Sequence, residues 1–223
     1  MFDINDFEDE NCYDFIEIGT SDFDTLIEKS DDSKRGISIE PIQYFLDRLP
    51  DRKNCIKICA AISDEEGEAD LYYIPEENIE KYNLPDFVRG AGSLYNLHPF
   101  VLTLLANEAE DNQLPEALDP DDVIVKTKVS VTRLKSIVDQ HNVKAIKILK
   151  IDAEGTDGKI LLDYLDCCKN EGYPYPFCIQ YENVLLPESA RRKLLLTAME
   201  AGYSAVSESY HDTVLIRKVI ITE

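Results

Sequence analysis

Cations are scarce in this sequence. Its 223 residues carry 44 Asp and Glu against 23 Lys and Arg, a formal net charge of −21 at pH 7. A surface that acidic repels phosphate backbones and anionic headgroups, which excludes nucleic acid and membrane as expected partners and suits a neutral or cationic small molecule. Long apolar runs are also missing: none approaches the ~20 residues that span a bilayer. No secretory leader opens the chain, and Cys12, Cys55, Cys59, Cys167, Cys168 and Cys178 form no C-x-x-C pair. A reducing, cytoplasmic setting is expected, with Cys55, Cys59 and Cys178 acting as small hydrophobes in apolar runs. Histidine is limited to His98, His141 and His211, of which His98 and His211 lie in segments from which a ring could act as a base near neutral pH. No internal repeat or low-complexity tract occurs, and an apolar fraction of 44% is enough for a full core.

What is present is an alternation of two periodicities. Short apolar runs at 14–18, 36–40, 55–62, 145–152, 177–182 and 213–220 read as strands. Helical patterns at about 22–30, 41–49, 132–141, 156–170 and 188–201 lie between them. This order predicts an α/β fold with a mostly parallel sheet. The last strand reads as an antiparallel edge, following the strand and tight connection of "SAVSESYHD". Residues 64–130 break the rhythm. "SDEEGEADLYYIP" and "VIVKTKVSV" read as strands, and the irregular stretch between them reads as a lid-like insertion at about 75–122, with a helix near 96–109.

Two turns attract attention, because open α/β sheets bind ligands at the carboxyl ends of their strands. The first is "EIGTSDF", Glu17 to Phe23, where Gly19 permits a tight turn. Ser21 and Asp24 have the spacing of a capping box, and a helix amino end there would offer free N–H groups to a carboxylate. The second is Glu40–Pro41 after the 36–40 strand, at the spacing where an acid hydrogen-bonds ribose hydroxyls. Together they point to an adenosine-bearing cofactor without saying which.

The fourth unit carries a resemblance. Leu149-Lys150-Ile151-Asp152-Ala153-Glu154-Gly155, a strand ending followed by a helix, resembles the L-K-I-D-x-E-G hallmark of the FkbM family of S-adenosylmethionine-dependent methyltransferases. Glu40-Pro41, "CAAISDEEGEADLYY" and "IQYEN" look like the family's second, third and fifth strand ends, and the likeness extends over roughly 14–218. It implies a single Rossmann-like class I methyltransferase domain over 1–223: seven strands, the last antiparallel, with helices on both faces. The family's first turn commonly runs D-V-G-A-N-x-G. Here Glu17 replaces the aspartate, Phe23 replaces the second glycine, and Asp22 brings a negative charge to the rim. Lys135 stands where the family often has Asp.

The resemblance implies cofactor contacts from Glu17, Gly19, Thr20, Ser21, Asp22, Glu40, Pro41, Ala61, Ile62 and Asp152. Asp152, beside the sulfonium, is the first choice for base or positioning group. Glu154, His98 and His211 are further catalytic candidates, and Ser93, Tyr95, His98, Glu154 and Glu182 are candidates for the acceptor, with Phe100 as a stacking surface. No metal is expected. The acceptor is expected to be a hydroxyl of a sugar, glycan or related small molecule, acted on by a monomer or homodimer. Two rivals stand beside this reading. One is an interaction protein that keeps the fold without catalysis. The other is a nicotinamide-dependent oxidoreductase, against which the missing G-x-G-x-x-G argues.

Overall fold

The computed structural model describes residues 11–95, 97–107 and 117–218. The chain forms two units, Met1–Gly67 with Ser130–Glu223, and Glu68–Val129. In the first unit, side-chain alternation along β1 (Cys12–Ile18) organises the core. Ile16 and Ile18 face one side of the sheet and join Leu134, Ile137, Ile160, Leu161 and Leu194. Phe15 faces the other side and joins Ile27, Leu46 and Leu49. Gly36 is glycine for this packing: a Cβ there would lie 2.1 Å from the Phe15 ring.

β1 pairs in parallel with β2 (Gly36–Ile39), which pairs in parallel with β3 (Cys55–Ile58). On its other edge β1 pairs in parallel with β7 (Ala145–Ile151), and β7 with β8 (Cys178–Glu182). β10 (Asp212–Arg217) runs antiparallel to both β8 and β9 (Tyr203–Glu208). The order is β3-β2-β1-β7-β8-β10-β9. α1 (Leu26–Lys29) and α2 (Gln43–Arg48) supply Ile27 and Leu46 to the Phe15 side. α6 (Leu134–Gln140), α7 (Asp157–Asn170) and α8 (Glu188–Glu200) cover the Ile16 side. This is the Rossmann-like arrangement expected from the sequence, with helices on both faces.

Three expectations need correction. The last strand is antiparallel but internal; β9 forms the edge, and Val206 is skipped in the β9–β10 register as a bulge. The run "CIKICAAI" is two strands. After β3 the chain leaves the large sheet, and β4 (Ala61–Ser63) pairs in parallel with Val131–Arg133 of β6 (Val125–Arg133). Cys59 falls in that break and is exposed, with Cys55 and Cys178 only half-buried; Cys12, Cys167 and Cys168 are the buried thiols, and all six are free. The helix expected over 22–30 is only Leu26–Lys29, because Ser21 (φ 46°) and Asp24 (φ 56°) are left-handed. Thr25 and Glu28, rather than Ser21 and Asp24, make the capping box.

In the second unit, β5 (Gly67–Tyr73) is hydrogen-bonded beside β6, and Asp70 pairs with Lys126 at 2.6 Å and Lys128 at 2.8 Å. α3 (Glu76–Tyr82), a 3₁₀ turn at Asp86–Gly90, α4 (Pro99–Leu105) and α5 (Pro120–Val123) enclose a core of Ile74, Ile79, Val88, Leu97, Val101, Leu105 and Val123. The insertion expected at 75–122 falls within this unit; its residues 96 and 108–116 lie outside the described residues. No helix among the described residues is long and apolar enough to cross a membrane.

Candidate active site

The sheet order reverses between β1 and β7, and the ladder continues there past both strand ends. The Asp152 amide donates to the Ile18 carbonyl at 2.9 Å, and the Gly19 amide donates to the Ile39 carbonyl at 2.9 Å. Gly19 (φ +74°) lies so close to β7 that a Cβ would stand 1.8 Å from the Asp152 carbonyl oxygen. Its lack of a side chain therefore joins the two central turns.

On the β1–β2 side, Glu17 and Glu40 are turned onto the chain's own amides. Glu17, 1% exposed, accepts from the Leu26 amide at 2.6 Å, the Ile27 amide at 3.1 Å and the Ser38 hydroxyl at 2.6 Å. The Glu28 amide donates to Thr25 Oγ1, and Glu28 returns the contact to the Thr25 amide. The amino end of α1, expected to offer free N–H groups, is thus occupied by the protein, and Glu17 shapes the turn from beneath it. Glu40, 5% exposed, accepts from the Ser21 amide at 2.8 Å and the Ile42 amide at 3.0 Å. Desolvation by burial pushes its pKa up to about 7 against these hydrogen bonds, and the charge of Asp22 adds to the rise. Asp22 is itself matched by the Arg48 guanidinium at 2.9 Å. Thr20 and Ser21 are buried, and Ser21 Oγ has no hydrogen-bond partner among the described residues. Pro41 accepts from the Cys59 thiol at 3.5 Å. Ala61 and Ile62 are buried in β4, and Ile62 packs into the core of the first unit.

On the β7–β8 side the carboxyl groups repel one another. Glu154, left-handed at φ 47°, has its pKa raised to about 9 by desolvation, then by the charges of Glu182, Asp152 and Asp157. Desolvation followed by Asp152, Asp157 and Asp212 raises Glu182 to about 8. Its Oε2 is buried and has no hydrogen-bond partner among the described residues. Asp157, fully buried, is raised to about 7, first by desolvation. It accepts from the Glu182 amide at 3.2 Å and the Ala153 amide at 3.3 Å, so it ties the ends of β7 and β8 together. Asp152 is raised by desolvation, opposed by Lys150 at 3.9 Å. With 42% of its side chain open, solvent screens much of that rise. Asp152 makes no cap on α7; the N-cap is Thr156, without a side-chain hydrogen bond.

Asp157 and Asp212 were not singled out from the sequence. The signal for Asp157 was an acid in the first helical turn after Glu154-Gly155. Asp212 is brought in by pairing opposite Glu182 in the antiparallel ladder. His211 lies beside it in the β9–β10 turn; its carbonyl accepts from the Asn183 amide, and its ring packs edge-on against Tyr210. His141 ends α6, and burial lowers its pKa. In the second unit, Ser93 is 2% exposed, exchanges both backbone hydrogen bonds with Tyr72 and accepts from the Tyr95 amide. His98 is the N-cap of α4, its Nδ1 accepting from the Phe100 amide at 3.0 Å. Tyr95 and Phe100 are half-exposed, and the Phe100 ring lies 5.8 Å from Phe87.

Residues 13–172 match the Methyltransferase FkbM domain. No curated protein and no solved structure matches the chain. The match covers well over half of the sequence and takes in the three strand ends that carry Glu17, Glu40, and Asp152 with Glu154; Glu182 lies beyond it. The chain belongs to the FkbM methyltransferase family.

Proposed function

We propose that this methyltransferase moves a methyl group from S-adenosylmethionine to a hydroxyl oxygen of a sugar, glycan or related small molecule. The observation that carries the reading is the group of carboxyls at the ends of β7 and β8, beside the point where the strand order reverses. The residues fit the cofactor at its ribose end. Glu40 ends β2, and the buried Ser21 hydroxyl beside it is without a partner among the described residues. Glu40 and Ser21 would hold the ribose diol. The cofactor supplies an electrophilic methyl on its sulfonium, so alignment of the acceptor is the main demand on the protein. Asp152, with 42% of its side chain open, would take the hydroxyl proton. Glu154 and Glu182, protonated at neutral pH, would donate hydrogen bonds to the acceptor. The reading includes no resident metal, and the free thiols support a reducing, cytoplasmic setting.

A second reading, an interaction protein built on the fold, draws on the amino end of α1, whose amides are taken by Glu17 and Thr25. Thermal unfolding with S-adenosylhomocysteine separates the two. At a hundredfold excess over its dissociation constant a ligand of the folded state adds about 2.7 kcal/mol, and the melting midpoint should rise by several degrees. No shift, with no heat in calorimetry at millimolar ligand, would leave the interaction protein.

A further inference from the structure

The turn after β1 is held in place by a residue from α2. Gly19 is followed by Thr20, Ser21, Asp22, Phe23 and Asp24 with no further glycine, yet Ser21 and Asp24 are both left-handed, at φ 46° and 56°. Side chains rarely adopt that region, so the conformation persists only where the surroundings over-determine it. One restraint is the Glu40 carboxylate on the Ser21 amide. The other is Asp22. Its side chain is only 2% exposed, and its Oδ2 lies 2.9 Å from Arg48 Nε. A carboxylate taken that far out of water needs its partner. Arg48 is the last residue of α2 and is oriented by its own helix: the guanidinium lies 5.4 Å from the Tyr44 ring centroid and donates to the Tyr44 hydroxyl at 3.0 Å. It reaches the turn with 40% of its side chain still in solvent. The buried Ser21 hydroxyl, without a hydrogen-bond partner among the described residues, lies on the segment so restrained.

We propose that Arg48 is a positioning residue for cofactor binding: its ion pair with the buried Asp22 locks residues 20–24 in the left-handed turn that sets the Ser21 hydroxyl and Glu40 for a ribose. The inference rests on the reading of the β1–β2 turn as the S-adenosylmethionine site. Arg48 acts through Asp22 and need not touch the ligand. Losing the arginine strands a buried anion beside Glu40, and the turn must open to hydrate it.

Four variants test this: Arg48→Met, Arg48→Lys, Asp22→Asn and the double variant Asp22→Asn/Arg48→Met. Each is read by calorimetry with S-adenosylhomocysteine and by hydrogen exchange of the 20–25 amides without ligand, with melting curves to verify folding. Arg48→Met should weaken binding by about tenfold to a hundredfold, the factor that 1.4 kcal/mol per decade assigns to one or two such increments. It should also speed exchange at Ser21 and its neighbours. The double variant should recover most of both losses, because no buried charge is left to hydrate. Arg48→Lys should be intermediate, a point charge replacing a planar donor held over Tyr44. Equal affinity and exchange in Arg48→Met and the parent would overturn the proposal. So would a double variant as weak as Arg48→Met, since the loss would then belong to Arg48 touching the ligand. If the parent binds no S-adenosylhomocysteine, the cofactor reading fails, and a rescue of exchange in the double variant still identifies the lock.

Discussion

Two rims of one sheet handle their acids in opposite ways. At the ends of β1 and β2, Glu17 and Glu40 are buried and each accepts at least two backbone amides, while Asp22 meets Arg48. At the ends of β7 and β8, the charges of Asp152, Glu154, Asp157 and Glu182 act on one another, and Asp157 accepts backbone amides from both strand ends. The first arrangement spends its hydrogen bonds on the shape of a turn. The second leaves carboxyls with raised pKa values, and at Glu182 a buried oxygen without a hydrogen-bond partner among the described residues, the state in which a group can give or take a proton. Under the proposed function this difference divides the labour: one rim would hold the cofactor and the other would handle the acceptor.

The largest effect should come from the reactive rim. Asp152→Asn removes basicity while keeping size, and turnover should fall by about 10²–10⁴-fold if Asp152 takes the hydroxyl proton. A normal rate with a normal melting curve would place the proton transfer elsewhere, with His98 and His211 as the other named bases. Gly19→Ala breaks the join between the rims. Its Cβ would meet the Asp152 carbonyl at 1.8 Å in a left-handed backbone, so a loss of about 2–5 kcal/mol is expected from overpacking and positive φ together. Chemical denaturation measures it, and a loss below ~1 kcal/mol would mean that the two turns are not packed as described.

The pH dependence of stability sharpens the contrast. Glu154 and Glu182 rise from 4.5 in the unfolded chain to about 9 and about 8 in the folded one. Below 4.5 both states hold these protons, and the stabilisation is complete. As pH rises further the unfolded chain releases them first, so stability falls until the folded groups ionise near 8 to 9. The melting midpoint should therefore be higher at pH 5.5 than at pH 8.5, by roughly 2–4 °C for each kcal/mol involved. Glu154→Gln, neutral at every pH, should reduce that slope; an unchanged slope would assign it to the general charge of −21. The smallest effect belongs to the exposed ion pair of Lys29 and Asp24 beside the first turn. Lys29→Ala should cost less than ~1 kcal/mol and leave ligand binding alone.

Much of this was legible in the sequence. Short apolar runs bounded by turn residues marked six strands of the large sheet, because burial on both faces leaves little room for polar interruptions. "LKIDAEG" located the end of β7, and Glu40–Pro41 the end of β2. What escaped depended on tertiary context. Nothing in "CIKICAAI" signals that the chain changes sheets at Cys59, since no glycine or proline marks the break. The left-handed conformations of Ser21 and Asp24 are imposed by Glu40, Arg48 and the Thr25–Glu28 cap, none of which local propensity reports. Asp22, a suspect charge in the sequence, lies in the turn and is balanced by Arg48 from α2. Ser93 looked available in its polar stretch and is buried by pairing with Tyr72.

The division of labour between the rims is tested most directly by the affinity for S-adenosylhomocysteine of Glu40→Ala beside Asp152→Asn, measured by calorimetry at one pH. Glu40→Ala should bind about tenfold to a hundredfold more weakly, the loss of charge-assisted hydrogen bonds of roughly 1.5–3 kcal/mol. Asp152→Asn should bind within about twofold of the parent, a difference under the 1.4 kcal/mol of one decade. An Asp152→Asn protein that loses as much affinity as Glu40→Ala would contradict the account, because the acid assigned to the acceptor would then be holding the cofactor.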